Sequence, residues 1–107
     1  MAKNLEFVLL LDCYGELLTE RQREIAELYY NEDFSLSEIA QMQNITRQAV
    51  SDSLRHSEQV LSQTEQKLGM AERIRRMRNC LEQILDSCRA ENISGITELA
   101  ENCLRLL

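Results

Sequence analysis

The chain contains no proline, only three glycines and a single histidine. Without proline, no helix need stop for want of a backbone N–H. With so few glycines, a glycine-rich phosphate loop and long flexible linkers are excluded. β-branched residues are sparse, which argues against strands. No apolar run approaches the ~18 residues of a membrane span, and the N-terminus MAKNLEF lacks the basic region and long apolar core of a signal peptide. A cytoplasmic chain without membrane insertion is expected. His56 stands alone, and Cys13, Cys80, Cys88 and Cys103 form no C-x-x-C pair, so zinc and haem signatures are missing. Each cysteine has apolar neighbours and reads as a small buried hydrophobe of a reducing compartment. No paired carboxylates share a helical face with a histidine, and no Cys–His arrangement occurs. The expectation is a non-enzyme with no cofactor and no metal.

What remains is helix-forming. The 107 residues are 44% apolar, enough for one all-α domain with a modest core. Lys3 to Tyr14 reads as a first helix, apolar over more than half its circumference, with Gly15 as its C-terminal cap. Thr19 and Gln22 form a capping box for a helix from Glu20 to about Tyr30, which buries Ile25, Leu28 and Tyr29. Phe34 then precedes a second box, Ser35 with Glu38.

The stretch SLSEIAQMQNITRQAVSDSLRH, Ser35 to His56, has the pattern of a helix-turn-helix. Ile39 and the small Ala40 face inward. Asn44 sits at the turn, where a left-handed backbone is usual and asparagine is tolerated next after glycine. Thr46 caps the second helix, and Val50 and Leu54 return to the core at i, i+4 spacing. Gln43 and Ser53 are polar where such units usually bury apolar residues. Thr46, Arg47, Gln48, Ser51, Asp52 and Arg55 are left facing outward.

The apolar seam continues through Ser57, Leu61, Thr64 and Leu68 at alternating steps of four and three, which predicts one long helix from Arg47 to about Lys67. Gly69 breaks it. Met70, Ile74, Met77, Leu81, Ile84 or Leu85, and Cys88 repeat the seam. A second long helix, 70–90, should fold back antiparallel on the first. Asn92 or Ser94 can cap a last helix lined by Ile96, Leu99, Ala100, Cys103, Leu104 and Leu107. We expect a single domain over 1–107, with a helical core at 1–56 and a helical extension at 57–107 that serves oligomerisation.

Charge is distributed unevenly. The net charge is −6, made of −5 in residues 1–34, −1 in 35–69 and 0 in 70–107. Duplex-binding domains are usually basic, so one subunit should bind DNA weakly and with strong salt dependence. Arg73, Arg75, Arg76 and Arg78 form a cluster that could contact a nucleic-acid backbone. The simpler reading is a solvated face balanced by Glu72 and Glu82.

The combination LLTERQREIAELYY, FSLSEIA and TRQAVSDSLRHSEQVL resembles the YlxM-like family of small bacterial proteins. The resemblance covers residues 1 to 70 by motif and the C-terminal third by helical pattern and length. The segment is also similar, more distantly, to region 4 of sigma factors. Resemblance and helical pattern together give the expected fold: all-α, a sigma region 4-like helix-turn-helix followed by a long antiparallel helical hairpin and a C-terminal helix. The resemblance further implies a cytoplasmic protein whose genes neighbour those of the signal recognition particle GTPases, with a regulatory or accessory role in that secretion pathway. Matching motif positions put the DNA-reading residues on Thr46, Arg47, Gln48, Ser51, Asp52 and Arg55. Asp52 on that face would repel phosphate. The expected function is therefore DNA binding with transcription regulation. The alternative is a non-catalytic adaptor for protein or RNA in the signal recognition particle pathway. A homo-oligomer is expected, because one reading head makes few contacts and the seams through Leu54, Leu61 and Leu68, and through Met70, Ile74, Met77 and Leu81, need cover.

Overall fold

The computed structural model describes residues 3–107, which form six α-helices and no strand. They are α1 (Glu6–Tyr14), α2 (Glu20–Tyr30), α3 (Leu36–Gln43), α4 (Arg47–Leu68), α5 (Met70–Arg89) and α6 (Ile93–Arg105), with a 3₁₀ turn at Gly15–Leu17. The packing divides the chain into two units, the first ending at Leu68 and the second being Gly69–Leu107.

In the first unit α4 is the central post, packed on by α1, α2 and α3. Its Val50 and Leu61 are fully buried, as are Ile25 of α2 and Ile39 of α3. Each such side chain contributes about 1.5–3 kcal/mol by leaving water. Ser57 lies in the same seam and is buried with them. Two tyrosines tie the post to its neighbours. The Tyr14 hydroxyl of α1 donates to Glu65 Oε1 at 2.6 Å, and the Tyr30 hydroxyl of α2 donates to Glu58. Burial and the Glu58 carboxylate push the Tyr30 phenol above its usual range. Lys3 Nζ donates to the carbonyls of Tyr29 (2.8 Å) and Phe34 (3.0 Å) and to Asp33 Oδ1 (2.9 Å), and sits over the Tyr29 ring. One cation thus satisfies an open carbonyl at the end of α2, where cations are also favoured by the helix dipole, and another in the connection to α3.

Helix boundaries follow the caps. Both capping boxes form, Thr19 with Gln22 and Ser35 with Glu38. Helix α1 starts at Glu6 rather than Lys3, because Asn4 Oδ1 takes the Glu6 N–H and turns the chain in. Gly15 does not adopt a left-handed cap; its φ is −56° and it leads into the 3₁₀ turn. Gly69 does take the left-handed conformation, at φ 61°, and separates α4 from α5. Helix α4 runs unbroken across residues 56 and 57, so the long helix belongs to the same unit as the helix-turn-helix.

In the second unit α5 packs on α6, and three residues connect them. The helix that covers one side of α5 is α6. The reason lies in α6, whose Ile96 and Leu99 are half-buried and whose Cys103 is buried, a stripe that meets Met77, Cys80 and Ile84 of α5. Cys103 lies against the Cys80 thiol, and burial together with that neighbour pushes its own thiol pKa up. Leu54 and Leu61 are covered inside the first unit, whereas Ile74, Leu81, Leu104 and Leu107 remain exposed.

Candidate nucleic-acid interface

The geometry of the helix-turn-helix is built from backbone caps. The Ser35 hydroxyl accepts the Glu38 N–H at 3.1 Å, and Glu38 Oε1 accepts the Ser35 N–H at 3.0 Å. The Ser35 backbone N–H, with the Ser35 hydroxyl beside it, holds the Glu38 carboxyl below the usual carboxylate range, since donation favours its charged form. Helix α3 ends on Asn44, a left-handed residue at φ 56°, and the Ile45 N–H closes the turn on the Ala40 carbonyl at 3.0 Å. Thr46 Oγ1 then accepts the Ala49 N–H at 3.0 Å and starts α4. Ile39, Ala40, Val50 and Leu54 bury the angle between α3 and α4. Gln43 and Ser53, polar at usually apolar positions, are half-buried.

The outer face of α4 carries the six expected residues. Thr46, Arg47, Gln48, Asp52 and Arg55 are exposed, and Ser51 is half-buried. Arg47, Gln48 and Ser51 line, with Leu36 of α3, a shallow open cleft of about 310 Å³. Arg47 also borders a second cleft, with Lys3, Asp33 and Glu38. Among the described residues Arg47 makes no ion pair, so its five donors are available. Asp52 is less a free repelling charge than a local tether. Its Oδ1 accepts from Gln48 Nε2 at 2.9 Å and lies 3.8 Å from Arg55 Nη1. Gln48 therefore rests folded along the helix, and only Arg47 of the three long readers is unengaged.

The arginine cluster is a different kind of surface. All four arginines are exposed on α5, in the second unit. Arg75 and Arg76 both bond to Glu72, while Arg73 and Arg78 have no ion-pair partner among the described residues. At about 100° per residue they point around most of the helix rather than along one track.

Other chemistry is not assembled. Among the described residues no three His, Cys, Asp or Glu side chains gather to hold a metal ion. Burial, with Glu65 and Asp12 nearby, raises the Cys13 thiol pKa and so disfavours its thiolate. No helix of the described residues is long and apolar enough to cross a membrane.

Sequence reasoning missed three anchors of this scaffold: Lys3 and the tyrosine–glutamate bonds at Tyr14–Glu65 and Tyr30–Glu58. Their partners lie 26 to 51 positions apart, beyond any periodicity. The one available signal was the placement of Tyr14 and Tyr30 on apolar helices, where a buried hydroxyl needs a partner.

Comparison with known proteins agrees with this architecture. A family model described as "UPF0122: Putative helix-turn-helix protein, YlxM / p13 like" matches residues 1–101. A UPF0122 protein of Desulforamulus reducens is 49% identical over 78 residues, covering 73% of this chain and 67% of the relative. One from Acetivibrio thermocellus is 42% identical over 97 residues, covering 91% of this chain and 83% of the relative. A third, from Symbiobacterium thermophilum, is 54% identical over 71 residues, covering 65% and 66%. With capped helices around a left-handed Asn44 and a family match that spans both units, the chain belongs to the UPF0122 family of YlxM / p13-like helix-turn-helix proteins.

Proposed function

We propose that the protein is a DNA-binding regulator that presents α4 to the major groove and acts as a homo-oligomer. The observation that carries this reading is Arg47. It is exposed at the first residue of α4, unpaired, and flanked by Gln48 and Ser51. In the major groove an arginine there donates two hydrogen bonds to guanine O6 and N7. Ser51 is short enough for a base or phosphate contact. Gln48 can pair with adenine once it leaves Asp52, so adenine readout costs that tether. Arg55, at the outer edge, reaches a phosphate. The free N–H groups at the start of α4 favour a phosphate as well. The net charge of −6 keeps non-specific binding low. Arg47→Ala is expected to weaken specific binding by about 1–3 kcal/mol and relax preference at one base pair. Selection of genomic fragments by the purified protein at low salt tests the reading. Enrichment of no sequence refutes it.

The acidity of residues 1–34, net −5, favours a second reading. In it the same scaffold is a non-catalytic adaptor for protein or RNA in the signal recognition particle pathway. An RNA contact through α5 predicts that charge reversal at Arg75 and Arg76 abolishes binding to that particle's RNA while Arg47→Ala does not. Recovery of no pathway component in a pull-down counts against it.

A further inference from the structure

Helix α5 carries two apolar stripes, and α6 covers only one. Met77, Cys80, Ile84 and Ser87 are half-buried and form the inner stripe. About 100° around the helix lies a second stripe, Ile74, Arg78, Leu81, Leu85 and Cys88, with steps of four, three, four and three. Every member is exposed: Ile74 is 37%, Leu81 51% and Leu85 53% accessible. This is the spacing of a coiled-coil seam with one charged position in it.

The charges beside the seam identify what covers it. Arg75 and Arg76 are bonded to Glu72, and Arg89 to Asp86. Of the charges left without an ion pair, Arg73 falls on the side of the inner stripe, and Arg78 and Glu82 remain at the outer one. They stand at i, i+4, yet form no ion pair with each other or with any other described residue. Both lie on the seam or its solvent-side edge. We propose that the outer stripe of α5 pairs, antiparallel and about a two-fold axis near Leu81, with the same stripe of a second copy of the chain.

Orientation follows from the charges. A parallel pair sets Arg78 against Arg78 and Glu82 against Glu82. The antiparallel pair sets Arg78 beside Glu82 of the partner subunit, twice, because a two-fold interface repeats each contact. Leu81 meets Leu81 of the partner subunit at the axis, Ile74 meets Cys88 of the partner subunit, and Leu85 covers the Met77–Arg78 turn. The apolar stem of Arg78 packs in the seam while its guanidinium reaches the carboxylate. From Ile74 to Cys88 the seam is about 21 Å long. The interface stands on α5 alone and does not rest on the reading of α4 as a DNA helix.

Sedimentation equilibrium of the full chain, without nucleic acid, tests this. The wild type is expected at twice the 12.5 kDa chain mass at tens of micromolar. Leu81→Glu is expected to give a monomer of unchanged helicity. Arg78→Glu and Glu82→Arg each replace two attractive pairs with two repulsive ones, and each weakens self-association about tenfold. Mixed together, these two charge variants are expected to form a heterodimer at least as tight as the wild-type dimer. That recovery reads a contact between chains and does not need Leu81→Glu to fold. A strictly monomeric wild type overturns the proposal. So does a dimer indifferent to Leu81→Glu and to both charge variants, or an equimolar mixture that stays monomeric. A dimer without DNA affinity leaves this interface standing and sinks only the α4 reading.

Discussion

Ser57 is the one buried side-chain polar atom without a partner among the described residues. It is 1% exposed and sits one turn from Leu54 and Leu61, in the seam that holds the first unit together. Further along the same helix Thr64 satisfies its hydroxyl by donating to the Val60 carbonyl at 2.7 Å. Ser57 makes no such bond. A buried hydroxyl left unpaired costs about 1–3 kcal/mol. Ser57→Ala removes that cost, gains about 0.5 kcal/mol of helix propensity, and loses about 0.5 kcal/mol from the small void left by one oxygen. The last two terms cancel, so the substitution should stabilise the protein by about 1–3 kcal/mol. For a unit of this size that raises the melting temperature by about 4–8 °C per kcal/mol. Urea denaturation followed by circular dichroism should show a higher midpoint with an unchanged slope. Ser62→Ala, half-buried on the same helix, is the control and should give only the propensity gain. If Ser57→Ala gains no more than Ser62→Ala, the hydroxyl is satisfied in solution and the reasoning fails.

Three further outcomes follow from the helix-turn-helix. Asn44 is held at φ 56°, so Asn44→Gly should be neutral or slightly stabilising while Asn44→Ala should cost about 1–2 kcal/mol in thermal unfolding. Equal stability of the two variants would remove the backbone argument. The Glu38 carboxyl titrates below its ordinary value of 4.5 in the folded chain, so its capping contribution is present above that pH and is lost as the pH falls through the folded value. Wild type should lose more stability than Glu38→Gln between pH 6 and about pH 3, measured by melting temperature, and a parallel loss in both would show that this carboxylate is not involved. Asp52→Asn removes a negative charge from the outer face of α4 and should raise affinity for duplex DNA about two- to fivefold at low ionic strength, with the gain shrinking as salt increases. A loss of affinity would instead make the Asp52 carboxylate part of the contact.

The legible part of this chain is local. Both capping boxes, the left-handed Asn44, the stop at Gly69 and the length of α4 all follow from residues within five positions of each other. There the physics is a hydrogen bond to the nearest backbone group, or a φ that few residues adopt. Val50, Leu54 and Leu61 were readable for a related reason: their spacing matches the helix period, so they fall on one face. The illegible part is pairing between helices. Periodicity marks α5 as amphipathic but is blind to which neighbour fills each side. Its seam names no neighbour, and the structure shows α6 packed on one side of it. The same blindness hid Lys3, whose three acceptors come from the end of α2 and the loop after it, 26 to 31 residues away.

The candidate interface shows the same division at finer scale. Spacing alone put Thr46, Arg47, Gln48, Ser51, Asp52 and Arg55 on one face of α4, and that face is what the structure presents to solvent. Spacing could not rank them. Thr46 is spent on its cap, Gln48 is bonded to Asp52, and Arg55 stands beside the same carboxylate. Arg47 emerges as the available reader because nothing near it is acidic and close enough to claim it. An acidic residue on a recognition face is costly only if its charge is free. Here Asp52 is partly neutralised by Arg55 and engaged by Gln48, so it restrains two neighbours while repelling phosphate less than an isolated carboxylate would. On the proposed DNA-binding reading that arrangement favours discrimination over grip: Gln48 would give up its bond to Asp52 to read a base, and binding to random sequence would offer it nothing in return.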